Sequence, residues 1–276
     1  MKTSNQSFLD IFFLDLARAA SATVGRVVRH NSMKGNGFMI SNRLFLTNNH
    51  VIHDSEVAMK SVVEFNYEMG MKGSPLPTTK FAFSPEAFLM KSPEEDLDFT
   101  IVAVGSRVGG LSNLSDFGFC PLNGNENNYA LGDFVNVIQH PGQEFKKIVL
   151  RNNRLVAQSE EILQYYAAMI SGSSGAPVFN DRFEPIALHH YGRPSRVGLT
   201  KDGKPGPKRI AEGVRISAIV KRINSEKGKL DIEQRLLIET ALSCPFSQPS
   251  LLTFSGIQKL ERKESSVYLR VFLTSI

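Results

Sequence analysis

Gly172–Asn180 reads GSSGAPVFN, a turn of small residues that runs directly into an apolar strand. Ser174 lies between Gly172 and Gly175, so the loop can bend sharply and aim successive backbone N–H groups at one point. Alone, such a turn is an ordinary loop or a phosphate cradle. Two earlier segments change its meaning: Leu46–Val51 reads LTNNHV and Leu97–Val102 reads LDFTIV. A serine hydroxyl is a poor nucleophile near neutral pH. It needs a base within hydrogen-bond reach, and the base needs a third group that holds its tautomer. The three segments offer one of each: Ser174 as nucleophile, His50 as base and Asp98 as orienting carboxylate. The N–H groups of Gly172 and Ser174 would then form an oxyanion hole, worth about 3–4 kcal/mol per donor.

His50 falls where a strand, Arg43–Thr47, gives way to a short helical turn that can present an imidazole at an edge. Asp96 competes with Asp98 within EEDLDF, and Asp98 is preferred because it directly precedes an apolar strand. His140, in IQHPGQ, is set aside as base because no matching segments surround the order Asp, His, Ser.

Outward from these segments the chain reads as short strands. The first half offers Val24–His30, Gly35–Ile40, Leu44–Thr47, Val57–Phe65 and Phe99–Val104, with a Gly/Pro-rich connection at Gly70–Thr79. The second offers Phe134–Ile138, Lys147–Leu150, Ile162–Ala167, Ala176–Phe179, Pro185–His189 and Gly213–Ser217. Many short strands with few helices indicate an all-β barrel or sandwich. Ala218–Asn224 and Asp231–Leu242 read as helices, and Val267–Thr274 as a late edge strand. Near the start, apolar residues at 8, 9, 12, 13, 16 and 17 mark one face of a docked amphipathic helix.

The chain has 276 residues, 42% of them hydrophobic and 21% charged, the balance of a globular protein. The net charge of +5 is scattered, and its densest cluster, Lys201–Arg209, is Gly- and Pro-rich and reads as a loop. No aromatic–basic stripe is present, so no nucleic acid is expected as partner. Asp10, Asp15 and Arg18 interrupt the apolar N-terminal stretch, which predicts neither an export signal nor a membrane span, and hence a cytoplasmic location. Cys120 and Cys244 read as free thiols of a reducing compartment, with a single bridge as the alternative.

Taken together, LTNNHV, LDFTIV and GSSGAPVFN resemble the His, Asp and Gly-X-Ser-Gly-X-Pro boxes of trypsin-like peptidases. GNGFMIS (Gly35–Ser41) resembles the glycine-rich strand before the His box, and GVRISAIV (Gly213–Val220) the last barrel strand entering the terminal helix. The resemblance is closest to bacterial, non-zymogen members, including the glutamyl endopeptidases. It implies two six-stranded antiparallel β-barrels over residues 22–224, flanked by an N-terminal helix (1–21) and a C-terminal helical extension (225–276). It implies hydrolysis of peptide bonds in proteins through an acyl-enzyme, with no metal or cofactor.

Ser173 stands where trypsin has the Asp that pairs with a newly cut N-terminus, so activation of that kind is not expected. The resemblance also assigns Met169, His189, His190, Tyr191 and Gly192 to substrate binding. His189 falls where glutamyl endopeptidases meet the substrate carboxylate; Met169, where they carry a small hydroxyl residue, argues against cleavage after Glu. His190, Tyr191 and Gly192 are assigned to backbone pairing with the substrate.

Two other classes are weighed. An α/β-hydrolase needs Gly-X-Ser-X-Gly, but Ala176 stands at the second glycine and the only later histidines follow Ser174 too closely. The same fold can also serve as a latent or non-enzymatic protein-binding module. A cytosolic protease needs restraint, so a regulatory protein partner, such as the sensor NTPases that accompany intracellular relatives in antiviral defence, is a further expectation by fold-level analogy.

Overall fold

The apolar run that begins at Phe99 is the axis of the first sheet. The computed structural model describes residues 9–150, 153–167, 172–194 and 209–242. Its first sheet contains β1 (Val24–Arg29), β2 (Ser32–Met39), β3 (Leu44–Thr47), β4 (Ser61–Phe65), β5 (Thr79–Phe83), β6 (Leu89–Ser92) and β7 (Phe99–Gly109). The order is β3-β2-β1-β4-β5-β7-β6, and β3 also pairs with β7, which closes six strands into an antiparallel barrel with β6 appended. The first six residues of β7 are buried and the rest largely exposed, because only the first part is shared with β3 and β6. Residues His30 and Asn31, with φ of 52° and 60°, make the two-residue hairpin between β1 and β2.

The second sheet contains β8 (Asn136–Gln139), β9 (Lys147–Val149), β10 (Leu155–Gln158), β11 (Ile162–Tyr165), β12 (Pro177–Phe179), β13 (Pro185–Pro194) and β14 (Arg209–Arg215). Its order is β10-β11-β14-β13-β12-β8-β9. A Phe134–Arg154 bridge, with Val135 N donating to Asn153 O, joins the β8 side to the β10 side. The first half is thus a closed six-strand barrel with one strand appended, and the second a seven-strand antiparallel sheet whose two sides meet at that bridge, in keeping with the expected fold.

Three apolar clusters explain the arrangement. Phe45, Phe65, Phe81, Phe83 and Val102 fill the first barrel. Val137, Leu163, Tyr165 and Val178 fill the second. Phe38, Leu46, Ile101, Ile138, Phe179, Leu188, Val214 and Ile219 lie between them. Strand residues alternate in direction, so one face of a strand serves its own barrel and the other the seam. Helix α3 (Ile216–Glu226) continues from β14 and buries Ile216, Ile219 and Ile223 in this seam, and α4 (Ile232–Leu242) adds Ile238 and Ala241.

Two expected elements differ. Val57–Phe65 is not one strand: α2 (Ser55–Met59) precedes β4, because the Asp54 side chain accepts from Val57 N at 2.8 Å and caps a helical turn. Near the N-terminus, α1 (Phe12–Thr23) buries Phe13, Leu16, Ala20 and Thr23, while Leu9 and Phe12 are half exposed, so the docked face is rotated from the one expected. Phe13 meets Phe183 of the second half at 5.0 Å between ring centroids. Glu68 accepts from Arg18 at 2.6 Å and pairs with Lys146 at 3.1 Å, and Lys146 Nζ donates to Ser21 O at 2.7 Å. Cys120 is a buried free thiol, its pKa pushed up to about 12 by burial. Cys244, Met169, residues 201–208 and the expected strand Val267–Thr274 lie outside the described residues.

Gly37 sits where β2 crosses the barrel, and a Cβ there would lie 2.2 Å from the Phe45 ring and 2.5 Å from Leu46 O. Gly37→Ala should therefore lower stability in urea unfolding by about 1–3 kcal/mol. Gly228→Ala, which meets nothing within 4 Å, should change it by under about 1 kcal/mol.

Candidate functional site

The three sequence segments converge between the two sheets. After β3, Val51 N and Ile52 N both donate to Asn48 O at 3.2 Å, which makes the short helical turn that carries His50. Asn49 Nδ2 donates to Thr100 Oγ1 (3.1 Å), and Thr100 Oγ1 donates to Ile52 O (2.7 Å), so the turn is tied to β7. Asn48 Nδ2 donates to Asp98 O at 2.9 Å. Asp98 adopts φ 40°, a left-handed conformation that costs a non-glycine residue energy.

That conformation places a fully buried carboxylate beneath the imidazole. Asp98 Oδ1 accepts from His50 N at 2.9 Å, and Oδ2 pairs with His50 Nδ1 at 2.7 Å. Oδ2 also pairs with His190 Nδ1 at 2.5 Å, a contact from β13 of the other sheet that sequence reading did not foresee. A carboxylate only accepts, so both histidines carry their Nδ1 proton. For a neutral His50 this leaves Nε2 as the basic atom.

Burial pushes the Asp98 carboxyl up, but hydrogen bonds from His190 and His50 and the charge of His50 prevail and hold its pKa at about 2. Burial works to lower the His50 pKa, yet the Asp98 hydrogen bond and charge, with Glu94, raise it above the ordinary imidazole value. Asp96 lies elsewhere: it accepts from Arg222 at 2.6 and 3.1 Å and from Ser92 at 2.8 Å.

Ser174 stands in a loop with positive φ at Gly172 (92°) and Gly175 (81°). Gly175 admits no side chain, since a Cβ would lie 2.0 Å from Asn36 O. Ser174 O accepts from Asn36 N at 2.7 Å. Among the described residues the N–H groups of Gly172 and Ser174 have no intramolecular acceptor, and no hydrogen bond joins Ser174 Oγ to His50.

His189 is buried, 3% exposed, and its Nδ1 pairs with Tyr165 OH at 2.8 Å. Burial, with His190 and His50 nearby, pushes its pKa down to about 3, so it carries no charge to offer a substrate carboxylate at neutral pH. Tyr191 and Gly192 continue β13, paired with Glu212 and Ala211 of β14.

His50, Asp98 and His190 bring metal-type donor atoms within 4.8 Å of one another. Both imidazole nitrogens, however, meet a single oxygen at 2.5–2.7 Å. An ion held at about 2.0–2.1 Å from each ligand needs wider donor spacing. The cluster is therefore a hydrogen-bonded unit. No described helix is long and apolar enough to cross a membrane.

Comparison with known proteins bears on the family. The model of the trypsin-like peptidase domain matches residues 35–188. An uncharacterized protein of Sinorhizobium fredii (strain NBRC 101917 / NGR234), y4fB, is 36% identical over 247 residues, covering 77% of this chain and 37% of that protein. The chain thus spans little more than a third of that relative's length.

With a folded pKa of about 2 against about 3.9 unfolded, Asp98 contributes stability that is complete above the unfolded value and is lost as pH falls through the folded one. In urea unfolding, the gap between wild type and Asp98→Asn should shrink by about 2 kcal/mol between about pH 6 and pH 2. A gap independent of pH would mean that folding leaves the Asp98 pKa unshifted, and a gap that widens as pH falls would mean that the folded carboxyl is held protonated.

Proposed function

Because this chain belongs to the trypsin-like peptidase family, we propose that it is a serine endopeptidase that works through an acyl-enzyme. Ser174 Oγ attacks the substrate carbonyl as His50 Nε2 takes its proton. The N–H groups of Gly172 and Ser174 stabilise the oxyanion, and His50 then protonates the leaving amine. Water repeats the sequence to release the acid. Asp98 holds the imidazole in the required tautomer and stabilises the imidazolium. Metal and cofactor are not required for these steps.

The observation that carries this reading is the double grip of Asp98 on His50, through its backbone N–H and its Nδ1. Such a grip fixes where Nε2 points, which a merely structural histidine does not need. Tyr191 and Gly192, on the edge of β13 beyond His190, are the proposed backbone partners of the substrate. The neutral, buried His189 supports a specificity without a dominant acidic preference.

A second reading, a latent or purely protein-binding module, draws support from the absence of a Ser174–His50 hydrogen bond among the described residues. Catalytic hydrogen bonds often tighten only with substrate bound. The Sinorhizobium relative carries the matched unit within a longer chain. A protein partner that switches the site, in a defence or regulatory setting, is proposed by fold-level analogy alone.

Peptide-library cleavage should be abolished by Ser174→Ala. Asp98→Asn should lower kcat by up to about 10⁴-fold, against a small effect of Asp96→Asn. The opposite ranking of the two Asp variants would overturn the assignment. kcat/KM should rise with pH as His50 loses its proton, with a midpoint above the ordinary imidazole value of about 6.5. A midpoint below that value would contradict the role of Asp98.

A further inference from the structure

Asn36 lies on β2, in the first sheet, and is fully buried. Every polar group it has is engaged. Its N–H donates to Ser174 O at 2.7 Å, and its carbonyl accepts from Thr47 Oγ1 at 2.6 Å. Its Nδ2 donates to Gly172 O at 2.8 Å. Its Oδ1 accepts from His140 N at 2.8 Å and faces His140 Nδ1 at 3.0 Å. One residue of the first sheet therefore grips the carbonyls on both sides of the Ser173–Ser174 peptide. With those two peptide planes held, the N–H of Ser174 has little freedom to rotate away from the oxyanion position.

His140 has no place in the proton transfers proposed above. It is fully buried and follows β8 in the second sheet. The amide orientation of Asn36 leaves Oδ1 as an acceptor, so His140 must carry its proton on Nδ1. Its Nε2 makes no well-formed hydrogen bond, although the Tyr67 backbone interacts with the ring and works against the lowering of its pKa. Burial, together with Lys146 and Arg26, holds this imidazole neutral. Its bond through Nδ1 steadies the Asn36 amide. The same segment also backs the loop, since a Cβ on Gly172 would lie 3.6 Å from Gly142 N.

We infer that Asn36 and His140 are a positioning pair that sets the oxyanion-binding conformation of the Gly172–Gly175 loop across the seam between the barrels. The inference rests on the proposed peptidase function and adds two residues to it, neither touching the reacting atoms.

The test is the second-order rate at which a fluorophosphonate labels the purified full chain, with circular dichroism confirming the fold of each variant. Asn36→Ala should label about 30-fold more slowly or worse, since loss of one oxyanion donor costs about 10²–10³-fold. The KM of a peptide substrate should stay within about threefold, because the pair acts on the transition state. His140→Phe, which keeps volume but not the donor, should slow labelling about tenfold. His140→Asn, whose Nδ2 replaces Nδ1 as donor, should restore it to within about threefold of wild type. The double variant Asn36→Ala/His140→Phe should be no slower than Asn36→Ala alone, because the two act as one unit.

A folded Asn36→Ala that labels within about threefold of wild type overturns the inference. If wild type itself is not labelled, the peptidase reading fails instead. Amide exchange of the Gly172–Asn180 peptide then decides the inference: faster exchange in Asn36→Ala supports it, and unchanged exchange overturns it.

Discussion

A buried carboxylate without partners is among the most costly groups a fold can hold, and Asp98 is fully buried. The site is organised around meeting that cost. Asp98 takes a left-handed backbone conformation at the mouth of β7, with Asn48 holding its carbonyl, so that its side chain turns under the His50 turn. Two of its hydrogen bonds come from His50 and one from His190, on the other sheet. The same charge therefore orients the proposed base and clamps the two halves of the molecule at the point where they meet. Neither barrel alone satisfies it.

The apolar seam makes this clamp possible. Phe38, Ile101, Phe179 and Leu188 bring the sheets together with no polar specificity of their own. Hydrogen bonds from the seam's rim then select one register: Asp98 with His190 on one side, and Asn36 with Gly172, Ser174 and His140 on the other. Helix α1 is tied to the same region by the buried Lys146–Glu68 pair, whose lysine leaves the loop that begins with His140. Hydrophobic burial supplies affinity between the halves, and buried polar pairs supply alignment.

Much of this was legible in the sequence because each segment pairs a chemical residue with a local structural cue. Ser174 between glycines, Asp98 ahead of an apolar run and His50 at the end of a short strand are one-dimensional signals. The short strands β5, β6 and β10 carried weaker cues, and α2 was hidden because Val57 and Met59 sustain an apparent alternation while the Asp54 cap decides for helix. The contact of His190 with Asp98 depends on how β13 crosses the seam, which no local pattern encodes. Asn36 had one available signal, an amide residue inside an otherwise apolar strand segment, GNGFMIS. His140 was visible as a histidine but not as the partner of Asn36, from which it is separated by 104 positions.

The central claim is that His50, gripped by Asp98, makes Ser174 a nucleophile. It is tested most directly by treating the folded protein with diisopropyl fluorophosphate and locating the adduct by tandem mass spectrometry. The account predicts a single adduct on Ser174 that disappears in His50→Ala. An adduct on another serine, or equal reaction at Ser174 without His50, would contradict it.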